Sequence, residues 1–274
     1  MKNMGEKLSR RVLLIIYALI VLVPVVSIFL TTFKSTSEMY ENILGFPKSF
    51  NFSNYIAIFQ DQSMSVYFTN SVIVTIVSVT FTLFFASLVA FAITRIGGWL
   101  GGIIFAFFTI GMMVPAQVNM IPLYQLVLDL GLTNSLFGLM IVNIAVTLPV
   151  AVFILAGFMQ SIPKSLFEAC TIDGGNNWQM YAKVAMPLSL PSLSAAAIFL
   201  FVMHWNDLLY PLLFITKDEY KTMPLALLEF QGEYMTNYPM LFTGVMIASA
   251  PMIIAYLFLQ RYFVAGVTAG SIKG

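Results

Sequence analysis

Long stretches without any charged residue are the feature that most constrains this chain. Six of them cover residues 12–33, 62–94, 96–128, 130–163, 184–206 and 234–260. Each is long enough for a helix to cross a bilayer core about 30 Å thick, which takes roughly 20 residues. None alternates between apolar and polar residues as a strand of a membrane barrel does. The pattern therefore predicts an all-α, polytopic membrane helix bundle with six transmembrane helices.

Composition supports this prediction and excludes several classes of protein. Of the 274 residues, 59% are hydrophobic and 9% are charged, whereas a soluble domain has about 25% charged residues. Disorder is excluded because it requires low hydrophobicity and high net charge. A net charge of +1 gives no reason to expect nucleic acid as a partner. The single cysteine rules out an internal disulfide framework, and we expect no metal site and no cofactor.

The charge-free stretches also predict the organisation of the chain. We expect a cytoplasmic N-terminus at 1–11, a transmembrane domain at 12–263 and a cytoplasmic tail at 264–274. The predicted spans are 12–33, 68–94, 99–115, 135–160, 192–215 and 240–261. After Pro115 we expect a short interfacial helix, LYQLVLDLGL, closed by Gly131; the alternative is one long tilted helix. We interpret the first span as uncleaved, since its apolar run is too long for a signal peptide.

The distribution of Lys and Arg predicts the orientation. With the N-terminus in the cytoplasm and six crossings, nine of the 13 Lys and Arg residues fall inside and four fall outside. Cytoplasmic loops carry this excess in membrane proteins. We therefore expect both termini in the cytoplasm.

A polar cluster in the fifth predicted span is the first candidate for function. It consists of His204, Trp205, Asn206 and Asp207. On a continuous helix His204 and Asp207 would share a face and could pair, and Asn206 would point towards Tyr210. An intramembrane acid faces the bundle interior or a water-filled cavity by default. The cluster therefore lines a transport path, or it is an interfacial polar group with Trp205 as a belt aromatic. Asn143 is a further polar candidate.

The loop at 161–191 is the second candidate. Ser165 followed by Glu168 predicts a capping box, and Pro163 suits a first helical turn. Gly174 and Gly175 would break this helix, and a second short helix would run over about 178–185. Two short helices on the cytoplasmic face would form a knob on which a cytosolic partner docks.

The spacing within this loop resembles the EAA signature of permease subunits in binding-protein-dependent ABC importers. Glu168-Ala169-Cys170 is followed by three residues, Gly174, nine further residues and Val184-Ala185-Met186-Pro187. Cys170, Val184 and Met186 stand where the family has Ala, Ile and Leu. The resemblance extends along most of the chain, to Phe33-Lys34-Ser35, Asn54-Tyr55, Val114-Pro115, residues 130–135, Trp205-Asn206, Pro211-Leu212 and the tail 270–274. The chain resembles the six-span second permease of maltose-type carbohydrate importers.

This resemblance implies a MetI-like, type I ABC importer permease fold in a bacterial or archaeal cytoplasmic membrane. It implies a homologous partner permease, a cytosolic ATPase dimer, an extracytoplasmic sugar-binding protein, a sugar or oligosaccharide substrate and surrounding lipid. Coupling to the ATPase would fall to Glu168, Ala169, Cys170, Asp173, Gly174 and Gly175. The candidate path residues are Asn206, Asp207, His204, Tyr210 and Asn143. The long outer loop 216–239 would touch the binding protein, or else form a folded cap over the pore mouth.

Other functions remain as alternatives. The chain has no Gly-Lys pair and hence no P-loop, so we expect it not to be an enzyme and to depend on a separate ATPase. A glycerol-phosphate-type ABC permease resembles it closely enough to stay open. An ion-coupled secondary transporter would need intramembrane ionisable relays, for which only Asp207 and His204 qualify.

Overall fold

The computed structural model describes residues 4–60, 62–230 and 237–271, and within these ranges it forms helices without a β-strand. The α-helices are α1 (Met4–Thr31), α2 (Thr36–Glu41), α3 (Ser53–Gln60), α4 (Gln62–Ile96), α5 (Gly98–Met113), α6 (Met120–Asp129), α7 (Leu136–Met159), α8 (Lys164–Ile172), α9 (Asn177–Met180), α10 (Met186–Leu188), α11 (Leu190–Trp205), α12 (Leu209–Phe214), α13 (Met223–Ala226) and α14 (Tyr238–Ser271). The prediction of an all-α fold is confirmed.

Four helical segments in the described residues are long and apolar enough to cross a membrane. They are Leu8–Thr31, Ser63–Ile96, Leu136–Met159 and Tyr238–Phe258. A fifth span arises if Asn177–Leu188 and Leu190–Trp205, which meet at an angle of 74°, are counted together. Helix α5 has 16 residues, fewer than the roughly 20 that a perpendicular span needs. The chain is thus a multi-pass membrane protein, and the count of six spans stays a prediction.

The predicted break within the third charge-free stretch is confirmed. Helix α5 ends at Met113 and α6 begins at Met120, so the alternative of one long tilted helix is wrong. Gly131 has φ +66°, a conformation that glycine adopts at little cost. The amide of Leu132 donates to the carbonyl of Val127 at 2.9 Å, which closes α6 at the predicted glycine.

The chain divides into two compact units, one formed by residues 1–65 and 226–250 and the other by 66–225 and 251–274. In the first unit, aromatic rings pack where α1 ends. The Phe33 ring meets those of Phe50, Phe52 and Tyr55 at centroid distances of 5.2–5.7 Å. The Asn54 amide donates to the carbonyl of Thr32 at 2.8 Å. These contacts fix the segment that follows α1.

In the second unit, α4 and α7 pack side by side in parallel. Thr82 and Thr147 touch at 3.4 Å and stand 65 positions apart. Buried residues on either side of this contact show the same offset of 65 positions. Val74 and Leu139 share one core cluster, and Ala86 and Ala151 share another. Alanines at these positions permit close approach of the two helices. Helix α11 completes this core with Ala196 and Leu200.

Candidate functional site

The first helix of the predicted cytoplasmic loop, α8, is anchored by one aromatic side chain. Phe167 is buried, and its ring lies 6.2 Å from that of Phe91 on α4. Glu168 and Ala169 are exposed, and Cys170 is half-buried. The anchored face and the exposed face of α8 are therefore distinct.

The predicted capping box of α8 is wrong. Pro163 is the N-cap residue, with extended backbone and no side-chain cap, so Ser165 already lies within the first helical turn. Proline suits this entry because it has no backbone donor to satisfy and its φ is fixed. The capping box occurs instead at the second helix, where Asn176 and Gln179 each accept the other's backbone N–H at 2.9 Å. The Asn-x-x-Gln spacing was the signal that sequence reasoning missed.

The turn between the two helices depends on both predicted glycines. Gly174 has φ +79°, a region that residues with a Cβ avoid. Gly175 donates to the carbonyl of Cys170 at 2.8 Å, and a Cβ at position 175 would collide with the Cys170 side chain. Asp173 and Gly174 are exposed at this turn. The structure thus brings all six predicted coupling residues together on one helix end and its turn.

The second helix begins at Asn177 rather than at 178 and continues past Ala185 to Leu188. Pro187 does not end it; the chain bends by 74° around Ser189 before α11. A π-helical turn at Tyr181–Ala185 buries Tyr181, whose hydroxyl lies 2.7 Å from that of Ser87 on α4. This contact ties the second helix to the membrane-spanning core.

Two exposed apolar side chains flank the predicted coupling residues. Ile172 at the end of α8 is 86% exposed, and Trp178 on α9 is 61% exposed. The sequence analysis predicted no role for either residue. Large apolar groups exposed beside a polar turn are typical of a protein–protein contact.

Two of the predicted path residues lie in a buried polar layer shared by α4, α7 and α11. Asn143 is 1% exposed, and His204 is buried as well. Thr147 links them: its hydroxyl donates to the Asn143 carbonyl at 2.7 Å and lies 3.3 Å from Nε2 of His204. With the 65-residue offset between α4 and α7, Ser78 stands at the level of Asn143. This layer joins three helices of the second unit.

The predicted pairing of His204 with Asp207 is wrong. Helix α11 ends at Trp205 with Asn206 as its C-cap, so the two residues do not share a helical face. Asp207 instead accepts a hydrogen bond from the backbone N–H of Tyr210, in the first turn of α12, at 3.3 Å. Helix α12 then begins at Leu209, and its first turn tolerates Pro211.

Asn206 is exposed and does not point towards Tyr210 as a continuous helix would require. Its amide donates to the carbonyl of Val202 at 2.8 Å and to the sulfur of Met252 at 3.1 Å. Trp205, by contrast, is buried against Phe68 and Phe201. The interpretation of Trp205 as a lipid-facing belt aromatic is therefore wrong.

Three parallel aromatic rings lie next to this break. The rings of Tyr124, Phe214 and Tyr210 follow one another at centroid distances of 6.4 and 6.2 Å, with interplanar angles of 2° and 4°. Tyr124 on α6 is 37% exposed, and Tyr210 is half-buried. Phe214 is buried, so only the rings of Tyr124 and Tyr210 are partly accessible near Asn206 and Asp207.

The predicted outer loop is fastened in the second unit at three points. Oδ1 of Asn134 accepts from the backbone of Thr216 and of Lys217. The Asn70 amide donates to the carbonyls of Glu219 and Lys221, each at 2.9 Å. The hydroxyl of Ser71 accepts from the Met223 amide at 2.8 Å. Residues 231–236 of this loop, with Tyr234, lie outside the described residues.

Comparisons with known proteins bear on these features. The model of a family described as "Binding-protein-dependent transport system inner membrane component" matches residues 82–269. An arabinooligosaccharides transport system permease protein of Halalkalibacterium halodurans is 32% identical over 94% of this chain and 93% of that protein. A melibiose/raffinose/stachyose import permease protein of Bacillus subtilis is 32% identical over 90% of each chain.

Solved structures match the fold. One chain of a bacterial ABC transporter involved in the import of the acidic polysaccharide alginate has a TM-score of 0.82 at 22% identity, covering 96% of this chain and 99% of that one. A second structure of a bacterial alginate ABC transporter, in complex with an alginate pentasaccharide-bound periplasmic protein, has a TM-score of 0.68 at 13% identity, covering 95% and 96%. These likenesses concern the fold.

Proposed function

The chain belongs to the family of binding-protein-dependent transport system inner membrane components, and we propose from this membership that it is the permease subunit of an ATP-driven sugar or oligosaccharide importer. The relatives that match nearly its whole length are named as permeases for arabinooligosaccharides and for melibiose, raffinose and stachyose. With a homologous partner permease it forms the translocation path. Its orientation places both termini in the cytoplasm, as the excess of Lys and Arg on that side favours.

The observation that carries this proposal is the exposed surface of the segment 161–191. Phe167 and Tyr181 hold it to α4, while Glu168, the glycine turn and the apolar side chains of Ile172 and Trp178 face outward. A segment anchored on one side and apolar on the other suits a rigid contact with a second protein. That protein is one subunit of the ATPase dimer, because the chain itself has no P-loop.

The path for the sugar runs beside the break between α11 and α12. Asn206 supplies an exposed amide, Asp207 a half-buried carboxylate, and Tyr210 a half-buried ring. Amide and carboxylate groups bind sugar hydroxyls by hydrogen bonds, and aromatic rings offer the apolar face that binding sites combine with such groups. His204 and Asn143 lie behind this surface and hold its helices together.

Delivery of the sugar involves an extracytoplasmic binding protein that contacts the outer segment 216–239. The segment is fastened to α4 through Asn70 and Ser71, while Lys217, Asp218 and Glu219 are exposed. A fixed backbone with exposed charges of both signs suits a specific, reversible protein contact. Shortening this segment should then lower both uptake and the affinity for the binding protein.

The experiment that tests the function measures ATP hydrolysis of the reconstituted importer with and without loaded binding protein. We expect Gly174→Ala to reduce the stimulated rate, because a Cβ at φ +79° costs about 1–2 kcal/mol and distorts the turn. Gly157→Ala is the matched control, since its Cβ meets open space and its φ is not positive. Glu168→Gln should reduce stimulation while the protein remains in the membrane.

Two results would refute this role. One is full stimulation in both the Gly174→Ala and Glu168→Gln variants. The other is a set of crosslinks from residues 168–175 that reach lipid and never an ATPase subunit.

A further inference from the structure

A cavity of about 560 Å³ opens where α4 ends and α5 begins. Its walls are Arg95, a run of glycines at 97, 98, 101 and 102, and the side chains of Gln160, Lys164 and Glu168. The glycines keep one wall free of side chains, and a Cβ at Gly102 would meet open space. The volume lies in the range of small-molecule sites, about 300–1,000 Å³.

The charges around this cavity favour an anionic ligand. In the part of the chain that the structure describes, neither Arg95 nor Lys164 forms an ion pair with a carboxylate. The Arg95 guanidinium instead lies over the Phe167 ring, 6.0 Å from its centroid. Glu168 is the one carboxylate in the lining, so two cations face a single negative charge. The first turn of α5 adds backbone N–H groups without a side-chain cap, which also favour an anion.

A second cavity, of about 370 Å³, lies farther along the same pair of helices. It is lined by Phe107, Phe108 and Gly111 on α5 and by Ala145, Leu148 and Pro149 on α7. None of these side chains carries a polar group. This cavity suits a hydrocarbon chain.

The two cavities follow one seam along the axes of α5 and α7. Helices α5 and α7 run antiparallel, with the rings of Phe105 and Phe153 stacked at 5.8 Å. Pro149 in the apolar cavity and Gln160 in the polar one are 11 residues apart along the chain, or about 16 Å on a helix with a rise of 1.5 Å per residue. Trp99, exposed in the first turn of α5, is the residue type that marks a membrane–water interface.

We propose that this seam binds an anionic phospholipid, with its head group in the cavity at Arg95 and Lys164 and an acyl chain in the cavity at Ala145. Charge, polarity and spacing together match a molecule with a negative head at the interface and a tail directed into the bilayer. Between the cavities the tail runs over the exposed faces of Ile103 and Phe153. A protein loop does not suit the seam, because its backbone groups would be unsatisfied in hydrocarbon. The inference depends on the membrane location of the chain and not on its substrate.

The test is native mass spectrometry of the assembled importer after equilibration with equal amounts of phosphatidylglycerol and phosphatidylcholine. We expect selective retention of phosphatidylglycerol. The double variant Arg95→Gln with Lys164→Gln should lose about thirty-fold in retention, the factor for two favourable contacts between basic side chains and an anionic lipid. The matched control is Arg10→Gln with Lys183→Gln, which removes two exposed charges outside the cavity.

The tail is tested by a separate variant. Ala145→Phe fills the apolar cavity from an exposed position and should weaken retention, whereas Ile141→Phe, one turn away on the same helix and outside the cavity, should not. Equal retention of the two lipids by the wild-type importer would overturn the proposal. So would a double variant that retains lipid like its control, or an Ala145→Phe variant that behaves like wild type.

Discussion

Lys34 is a buried cation whose partners are backbone carbonyls. It is 1% exposed, and its Nζ donates to the carbonyls of Asn42 at 2.7 Å and of Ile43 at 3.3 Å. These contacts hold the chain that follows α2 against the end of α1. The Asn54 amide in turn donates to the carbonyl of Lys34 at 3.0 Å. One side chain therefore holds together the segments that follow α1 and α2 in the first unit.

We predict that Lys34→Met lowers stability by about 2 kcal/mol, because two buried carbonyls lose a charged donor. The control is Lys48→Met. Lys48 pairs with Glu41 at 2.9 Å on the surface, a hydrogen bond that lowers the pKa of Glu41, and exposed pairs contribute little. Thermal unfolding of the purified protein in detergent measures both variants. Equal shifts in the two would show that Lys34 is not a structural anchor.

Sequence could place Lys34 outside the first span but could not show its burial. Its partners are carbonyls of residues 42 and 43, and no residue type signals a backbone acceptor. Phe33 next to it illustrates the same limit, since its partners Phe50, Phe52 and Tyr55 come together only when the intervening chain folds. Packing across a loop depends on its path, which composition does not specify.

At the scale of elements, the polar layer in the core holds α11 to α7 and α4. Thr147 is its centre, with His204 and Thr82 at 3.3 and 3.4 Å. We predict that Thr147→Val, a change of similar shape, costs about 1–3 kcal/mol of stability because it leaves a buried ring nitrogen of His204 without this partner. Denaturation followed by the loss of helical circular dichroism measures the effect.

Thr109→Val is the control for this prediction. Thr109 on α5 makes the same type of hydrogen bond to its own helix, with the Phe105 carbonyl at 2.8 Å. A single such bond within one helix is a weak local contact, so we expect only a small loss of stability. Similar losses in both variants would mean that the contact between helices adds no stability.

The second coupling helix depends on its N-terminal capping box. Asn176→Ala removes a cap worth about 1 kcal/mol and should loosen α9, which carries the exposed Trp178. We expect lower substrate-stimulated ATP hydrolysis by this variant and no change for Ser165→Ala, since Ser165 caps nothing. Loss of stimulated ATP hydrolysis in Ser165→Ala, with no loss in Asn176→Ala, would contradict the placement of the capping box at Asn176.

The sequence predicted the presence of the helices better than it predicted where they end and what they contact. Charge-free stretches located the long helices because the bilayer demands apolar length, and Gly131 and Gly174 marked turns because glycine adopts their positive φ at little cost. The two capping patterns, Ser165 with Glu168 and Asn176 with Gln179, are equivalent in sequence. Only the second forms, because Pro163 takes the N-cap position of α8 and Ser165 therefore lies inside that helix.

At the scale of the whole molecule, the break between α11 and α12 lies where the buried polar layer meets an exposed surface. His204 belongs to the buried layer, while Asn206 two residues later is exposed and ends the helix. The sequence indicated that this cluster was special, but a continuous helix was the wrong basis for its geometry. The break at Asn206 leaves His204 packed in the core and Asn206 exposed, and it is for Asn206 that we propose a role in transport.

The last prediction concerns the accessibility of this break in the assembled importer. In a Cys170→Ala background, which removes the single natural cysteine, we expect Asn206→Cys to react with a membrane-impermeant thiol reagent. The extent of labelling should change between the resting and the ATP-trapped state, because alternating access opens the path to one side at a time. Asn206 currently bonds to the sulfur of Met252 on α14, so movement of that helix would alter its exposure directly.

His204→Cys provides the matched comparison, since it lies two residues away and is buried. It should stay unlabelled in the resting state. Labelling at position 206 alone would then indicate a water-filled path, whereas labelling at both positions would indicate local unfolding of the helix end. Transport by Asn206→Ala completes the test, because an amide that binds sugar hydroxyls contributes to uptake whereas a capping amide does not. Absence of labelling at position 206 in both states, together with full transport by Asn206→Ala, would leave Asn206 a packing residue and move the path to another face of the molecule.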